Sequence, residues 1–367
     1  MGDFYFLANW DKDRQSTWSG TCFGLFSALQ KRLAVTDCNI SDNGLPVLFH
    51  KILRRLGLEA HDFDMRLMER QRRKARCMVG DAQSVVFQFG EILFDTGKRR
   101  TFVYQDMSAD SVRHLYETSP EVFSVSGFQS LENDAMQRRA DFQNKYYQSC
   151  SGIFTMGRWF AEDLVGRLGV PEAKVHHVGG DINLDKSLID YSAKRGNKIL
   201  FVGRDFVRKG GGITLKAFQI LRERCKDVEL YIAGPSTSPL ESGMEGVRYF
   251  GDCSHEKLAR LFNECDIFVM PSYFEAYGLV FIEALTYGLP CIGRNVNEMP
   301  YFIENGETGL LLGEDDAESL ALMMEKLLHD EAIKANVRAK RDWYVNEYSW
   351  DTVAGRIVDV IYNGAVL

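Results

Sequence analysis

Two glutamates, Glu275 and Glu283, stand eight residues apart in PSYFEAYGLVFIEALTYGLP (271–290), and two long cations, Arg204 and Lys209, stand five apart in VGRDFVRKGGG (202–212). The cation loop suits a diphosphate: a guanidinium grips phosphate oxygens bidentately and an ammonium serves as a point charge. Gly210, Gly211 and Gly212 let the backbone come close to a ligand. In the glutamate segment, Pro271 and Ser272 close an apolar run, Gly278 permits a tight turn, and Leu279, Val280, Ile282, Ala284 and Leu285 begin a helix. Glu275 then lies in the loop at a strand's C-terminal end, with Glu283 about one turn inside the helix. The start of that helix offers free N–H groups and the positive end of a dipole, which is a ready phosphate site. Taken singly, each stretch also fits a plain surface loop or a strand–loop–helix corner with solvated charges. The cation loop is not a Walker A loop, because G-x-x-x-x-G-K-[ST] is absent.

The elements that must hold these residues follow from the apolar pattern. KILFVG (198–203), VELYIAG (228–234), VRYFGD (247–252), DIFVMPS (266–272), PCIG (290–293) and GLLL (309–312) are short apolar runs. Helical stretches such as 212–224 and 255–265 lie between them. That alternation predicts βαβ units on a parallel sheet, hence a Rossmann-like domain. The first half reads alike with less regularity: FYFLAN (4–9), VVFQFG (85–90), RTFVYQD (100–106), GIFTMG (152–157) and KVHHVGG (174–180) are candidate strands, with helices near 22–32 and 130–149. The polar stretch 181–197 is the expected linker. Two doubly wound domains would place ligands at the C-terminal ends of their strands.

The two motifs together resemble glycosyltransferase family 4, through Gly203-Arg204, Lys209-Gly210, Pro271-Ser272, Glu275, Gly278, Glu283, Ala284, Gly288, Pro290, Glu304-Asn305-Gly306 and Gly309, over about residues 198–362. The resemblance implies an α/β GT-B fold: an N-terminal acceptor-binding domain (1–185), a C-terminal nucleotide-sugar-binding domain (186–348), and a final helix (349–367) crossing back to the first domain. It implies retaining transfer of a hexose from a nucleoside-diphosphate sugar, with uracil the expected base, to a hydroxyl acceptor that is a glycan, a lipid-linked glycan or a small molecule. By resemblance, Arg204 and Lys209 hold the diphosphate and Glu275 holds the sugar hydroxyls, together with the N–H groups of Ala276, Tyr277 and Gly278. The N–H groups of Leu279 and Val280 touch phosphate, and Glu283 holds the ribose. Ala276 departs from the family's usual Gly, so its methyl narrows the sugar pocket.

In the first half, STWSGT (16–21) stands where the family has a Gly-rich loop, which makes Gly20 the candidate for close approach to phosphate or acceptor. VYQDMS (103–108) matches the family's H-D loop with Gln105 in place of His, leaving Asp106 in the second position, so these two are candidate sugar or acceptor contacts.

Charge developing on a departing diphosphate must be neutralised. No carboxylate or histidine cluster accompanies these loops, so Arg204, Lys209 and the helix start are expected to do this without a metal or other cofactor. Two rivals share the same residues: a nucleotide-sugar hydrolase or epimerase, and a non-catalytic subunit that only binds sugar nucleotide.

The 367 residues carry a net charge of −7, which argues against nucleic acid as a partner. Eight scattered cysteines without a C-x-x-C pair, and a start without a signal pattern, point to reduced thiols and a cytoplasmic location. Residues 51–76 hold nine Lys or Arg against four acids, net +5, with apolar residues interleaved. That segment reads either as a solvated helical face or as a peripheral contact with an anionic membrane.

Overall fold

A computed structural model describes residues 3–41, 61–80, 83–90, 99–192, 196–240 and 244–364. The chain divides into two compact units. The first comprises residues up to Pro120, Ser130–Asp181 and the C-terminal residues from Trp350, and the second comprises Glu121–Gln129 and Ile182–Ser349. Each unit is built on a six-stranded sheet of parallel strands.

In the first unit the strands are β1 (Phe4–Ala8), β2 (Val35–Asn39), β3 (Val85–Phe89), β4 (Arg100–Gln105), β5 (Gly152–Thr155) and β6 (Val175–His177), in spatial order β2-β1-β3-β4-β5-β6. Central strands of a covered parallel sheet are buried on both faces and so read as continuous apolar runs. VVFQF and FYFLA, fully buried, are of this kind. In-register Phe6 and Phe87 stack at 5.4 Å, and aromatic pairs of this geometry add about 0.5–1.5 kcal/mol beyond burial. β2, VTDCN, does not read as a strand in the sequence because it lies at the edge of the described sheet, where only Cys38 is buried. Its Asp37 faces Arg14 and Trp10 Nε1, at 2.6 and 2.8 Å.

The second sheet contains β7 (Lys198–Val202), β8 (Glu229–Ala233), β9 (Val247–Gly251), β10 (Ile267–Val269), β11 (Cys291–Arg294) and β12 (Gly309–Leu312), in order β12-β11-β10-β7-β8-β9. Each of the six apolar runs read from the sequence is one of these strands. The order runs outward from β7 to β9, then restarts at β10 on the other side of β7, so the winding reverses between β7 and β10. Loops leaving the C-terminal ends of two such strands flank a crevice, which is where open α/β sheets bind ligands. In the first unit the corresponding reversal lies between β1 and β3.

Among the helices that matter below, α1 spans Thr21–Gln30, α2 His61–Met78, α3 Gly211–Arg224 and α4 Leu279–Thr286. The chain returns to the first unit after Ser349. Its final helix, Trp350–Val358, begins with Trp350 N donating to Asp181 Oδ2 at 2.9 Å, and Arg32 reaches Asp351 Oδ2 at 2.9 Å. Trp350 lies directly over Gly24 of α1, whose missing side chain makes room for the indole.

Candidate functional site

The loop after β7 and the loop after β10 bring Lys209 and Glu275 together. Lys209 Nζ donates to Glu275 Oε1 at 2.8 Å. The same oxygen accepts from Ser272 Oγ at 2.8 Å and from Arg208 Nη1 at 3.1 Å. Arg208 Nη1 also donates to Phe274 O at 2.7 Å. Oε2 of Glu275 receives no donor from the described residues. Glu275 is buried, with 6% of its surface exposed. Burial alone would raise its carboxyl, but the Lys209 and Arg208 cations and the hydrogen bonds from Lys209 and Ser272 hold it below the ordinary carboxylate value.

Two backbone features let the loops meet. Gly210 has φ +75°, and a Cβ there would lie 2.3 Å from Pro271 O, so the cation loop presses directly on the end of the β10 loop. Tyr273 N donates to Arg208 O at 2.9 Å and completes the junction. On the far side Arg294, buried, donates from Nε to Pro271 O at 3.0 Å and from Nη2 to Asp315 Oδ1 at 2.6 Å, while Tyr273 OH donates to Asp315 Oδ2 at 2.8 Å. This frame fixes the loop that carries Glu275. Beside it Phe274 meets Phe128 edge-on, with ring centroids 6.0 Å apart.

The helices starting at these loops begin without side-chain caps. Gly210 precedes α3 and Gly278 precedes α4, both in the left-handed region, with no side-chain hydrogen bond to the first turn. Four other helices are capped, by Ser108, Ser254, Asp316 and Asp330, each accepting from a first-turn N–H, while those beginning at Asn133, Arg158, Met299 and Arg341 are not. A cap oxygen occupies one of the orphan donors of a helix start. At α4 that place is left open beside Lys209 and Glu275, so N–H groups and dipole remain for an anion.

The other residues singled out in the sequence fall as follows. Glu283 lies inside α4, buried, and its Oε1 accepts from Asn183 N at 3.2 Å. Tyr277 is buried with its ring edge-on to Phe302 at 5.1 Å, while Ala276 and Leu279 are half-buried and Gly278 and Val280 buried. Arg204 is not gathered to Lys209 and Glu275: its side chain is 82% exposed and pairs with Asp252 at 3.2 Å. The cation at the glutamate is instead Arg208. Sequence reading assigns Arg208 no role and Ser272 only a place in the motif; the signals were the R-K pair and a serine three residues before the glutamate, a spacing at which a loop hydroxyl reaches the carboxylate.

In the first unit Gly20 (φ +92°) precedes α1, which likewise has no side-chain cap. Trp18 and Ser19 before it are also left-handed, at φ 51° and 54°, and Trp18 meets Phe89, the last residue of β3, edge-on at 5.6 Å. Gln105 is buried at the end of β4, where its Oε1 accepts from Tyr147 OH at 2.6 Å and its Nε2 has no partner. Asp106, next to it, is half-buried. Among the described residues, no group of three or more His, Cys, Asp or Glu is placed to hold a metal.

Residues 51–60 of the basic segment lie outside the described residues, and 61–78 form α2. Arg72 does not belong to a surface patch: it is buried, with its guanidinium 3.6 Å from the centroid of the Phe142 ring. Lys74 is drawn to Ser41 O at 3.0 Å. Gln71, Arg72 and Ala75 form the inward face of the helix, with Val79 buried just past its end, while Arg70, Arg73 and Arg76 are exposed. Among the described residues no helix is long and apolar enough to cross a membrane.

Residues 189–344 match the family model of glycosyl transferases group 1. A phosphatidyl-myo-inositol mannosyltransferase of Mycolicibacterium smegmatis is 24% identical over 273 residues, 68% of this chain and 70% of that one. A glycogen synthase of Mycobacterium tuberculosis is 30% identical over 166 residues, 43% of this chain and 40% of its own length. Among solved structures, HepE of Anabaena, crystallised with UDP and glucose, superposes with a TM-score of 0.64 at 13% identity, covering 98% of this chain and 99% of that one. The architecture is that of the GT-B glycosyltransferases. Residues 189–344, which hold Arg204, Lys209, Glu275, the bare start of α4 and Glu283, carry the match to glycosyl transferases group 1, and the chain is a glycosyltransferase.

Proposed function

We propose that the chain transfers a hexose, with retention of configuration and without a metal ion, from a UDP-sugar to a hydroxyl acceptor. The observation that carries this reading is the Lys209–Glu275 contact at 2.8 Å beside the uncapped start of α4. A diphosphate laid against that helix start meets N–H donors, a dipole and Lys209, the positive charge a leaving diphosphate needs. Glu275, ionised and held through Oε1, offers Oε2 to a sugar hydroxyl. Glu283 reads as the ribose partner. Arg204 joins the diphosphate by leaving Asp252, an exposed pair worth about 0–1 kcal/mol. Uracil is favoured as the base because the similarly folded HepE was crystallised with UDP.

A thermal-shift panel of UDP, GDP and ADP with their hexose conjugates tests this directly. A ligand at about a hundred times its Kd stabilises by about 2.7 kcal/mol. The expected result is a clear shift with UDP that persists in EDTA, followed by sugar transfer in EDTA once an acceptor is supplied. Loss of transfer in EDTA with rescue by Mg²⁺ or Mn²⁺ would overturn the metal-independent part.

The acceptor is a glycan, a lipid-linked glycan or a small molecule. The outward cations Arg70, Arg73 and Arg76 of α2 support a peripheral contact with anionic lipid, each worth about 1 kcal/mol near such a surface. Flotation with anionic and neutral vesicles at rising salt checks it: anionic preference that fades with salt is expected, and equal binding removes it.

A further inference from the structure

Glu275 is held from three directions, and one of its two cationic holders has no place in the diphosphate chemistry. Lys209 is claimed twice: it pairs with Glu275 at 2.8 Å, and the function proposed above also assigns it to the diphosphate. Once an anion arrives, Lys209 divides its charge between the two. Ser272 is neutral, and its hydroxyl is shared with Phe274 O at 3.1 Å and Arg208 O at 3.2 Å. Arg208 is differently placed. Its Nη1 spans Phe274 O and Glu275 Oε1, while its Nε is tied back to Asp205 Oδ2 at 3.3 Å and its own N–H donates to Asp205 Oδ1 at 3.2 Å. Its carbonyl accepts from Tyr273 N at 2.9 Å. The residue therefore bolts the cation loop to the glutamate loop through both backbone and side chain. A guanidinium committed to a carbonyl and two carboxylates is a rigid fork with little left for a phosphate.

We propose that Arg208 is a positioning residue: it holds Oε1 of Glu275 so that Oε2 faces the transferred sugar while Lys209 is released to the diphosphate. This rests on the reading of Glu275 as the sugar holder. A carboxylate fastened at one oxygen cannot rotate to exchange its two oxygens, and the cation beside it keeps it ionised when Lys209 turns away.

The test compares Arg208→Gln, Arg208→Lys, Lys209→Ala and Glu275→Gln with wild type. UDP, GDP or ADP serves as the binding probe, whichever raises the wild-type melting temperature, with its hexose conjugate as donor. Arg208→Gln should lower kcat by about tenfold to a hundredfold, the range for losing one hydrogen bond to a charged group. Affinity for the nucleoside diphosphate should stay within about threefold of wild type, unlike Lys209→Ala. The acidic limb of kcat/KM should move to higher pH, because Glu275 loses a neighbouring cation, and Arg208→Lys should restore the limb and part of kcat. Should the Gln variant not fold, Arg208→Lys decides alone. An ammonium cannot reach Asp205 and Glu275 at once, so kcat should fall by at least about threefold with diphosphate affinity kept. Wild-type kcat with an unmoved limb overturns the proposal. A loss of diphosphate affinity equal to that of Lys209→Ala also overturns it, making Arg208 a phosphate ligand. Full turnover in Glu275→Gln overturns the sugar-holder reading itself, a failure distinct from an active Arg208→Gln beside an inactive Glu275→Gln.

Discussion

The two sheets solve the same topological problem and furnish it differently. Each reverses its winding once, between β1 and β3 in one unit and between β7 and β10 in the other, and each starts helices there through a left-handed glycine without a side-chain cap. In the second unit the loops at the reversal carry cations and carboxylates that converge on one oxygen of Glu275. In the first, among the described residues, the loop after β1 carries Trp18, whose indole meets Phe89, and with Ser19 it holds a strained backbone. Such backbone costs about 1–3 kcal/mol per residue and persists only where the surroundings enforce it. Topology thus supplies a place for a ligand twice, and among the described residues the second is where two cations converge on one carboxylate.

The sharpest break in that comparison is removal of the charges. Lys209→Ala and Glu275→Ala are each expected to cut turnover by at least roughly tenfold, about 1.4 kcal/mol of transition-state stabilisation. Steady-state rates on folded protein check this, and two fully active variants would place the donor elsewhere. Next come the glycines. A side chain in the left-handed region costs about 1–2 kcal/mol, so Gly20→Ala and Gly278→Ala should both lower the melting temperature. Gly278→Ala should also weaken nucleoside-diphosphate binding more than Gly20→Ala does, by calorimetric titration; the reverse ranking would move the diphosphate to the first unit.

A smaller effect separates the units by pH. Because the folded-state carboxyl of Glu275 lies below its ordinary value, its contribution to stability is present above the ordinary carboxylate range and is lost as pH falls through the lowered value. The stability gap between wild type and Glu275→Gln should therefore close on acidification, as followed by denaturant titration at several pH values. A gap that widens toward acid would mean burial outweighs the two cations. Smallest of all is the effect of Arg204→Ala on stability, within about 0.5 kcal/mol because the side chain lies in solvent, while turnover falls. A large loss of stability would show that Arg204 is built into the fold.

The comparison also explains what the sequence made legible. Apart from the half-exposed β9, the strands of the second sheet are largely buried and read as apolar runs, and its site residues lie in two short loops. The first sheet hides β2 at an edge with a polar pattern, and Gln105, aligned with a ligand-contacting position, is tied instead to Tyr147 within the core. Which arginine would reach Glu275 was not legible from Arg204 and Lys209 alone. The turn over 203–210 sends Arg204 outward and Arg208 inward, a matter of backbone path that residue spacing in a loop does not encode. The basic run divides for a related reason: helical periodicity turns Arg72 inward onto Phe142 while Arg70, Arg73 and Arg76 face solvent.

The most direct measurement is calorimetric titration of UDP into wild type and Lys209→Ala at equal ionic strength, in EDTA. If the charged reversal of the second unit holds the donor diphosphate, wild type binds and the variant loses at least about tenfold in affinity, roughly 1.4 kcal/mol. Equal affinity in the two proteins would contradict that claim.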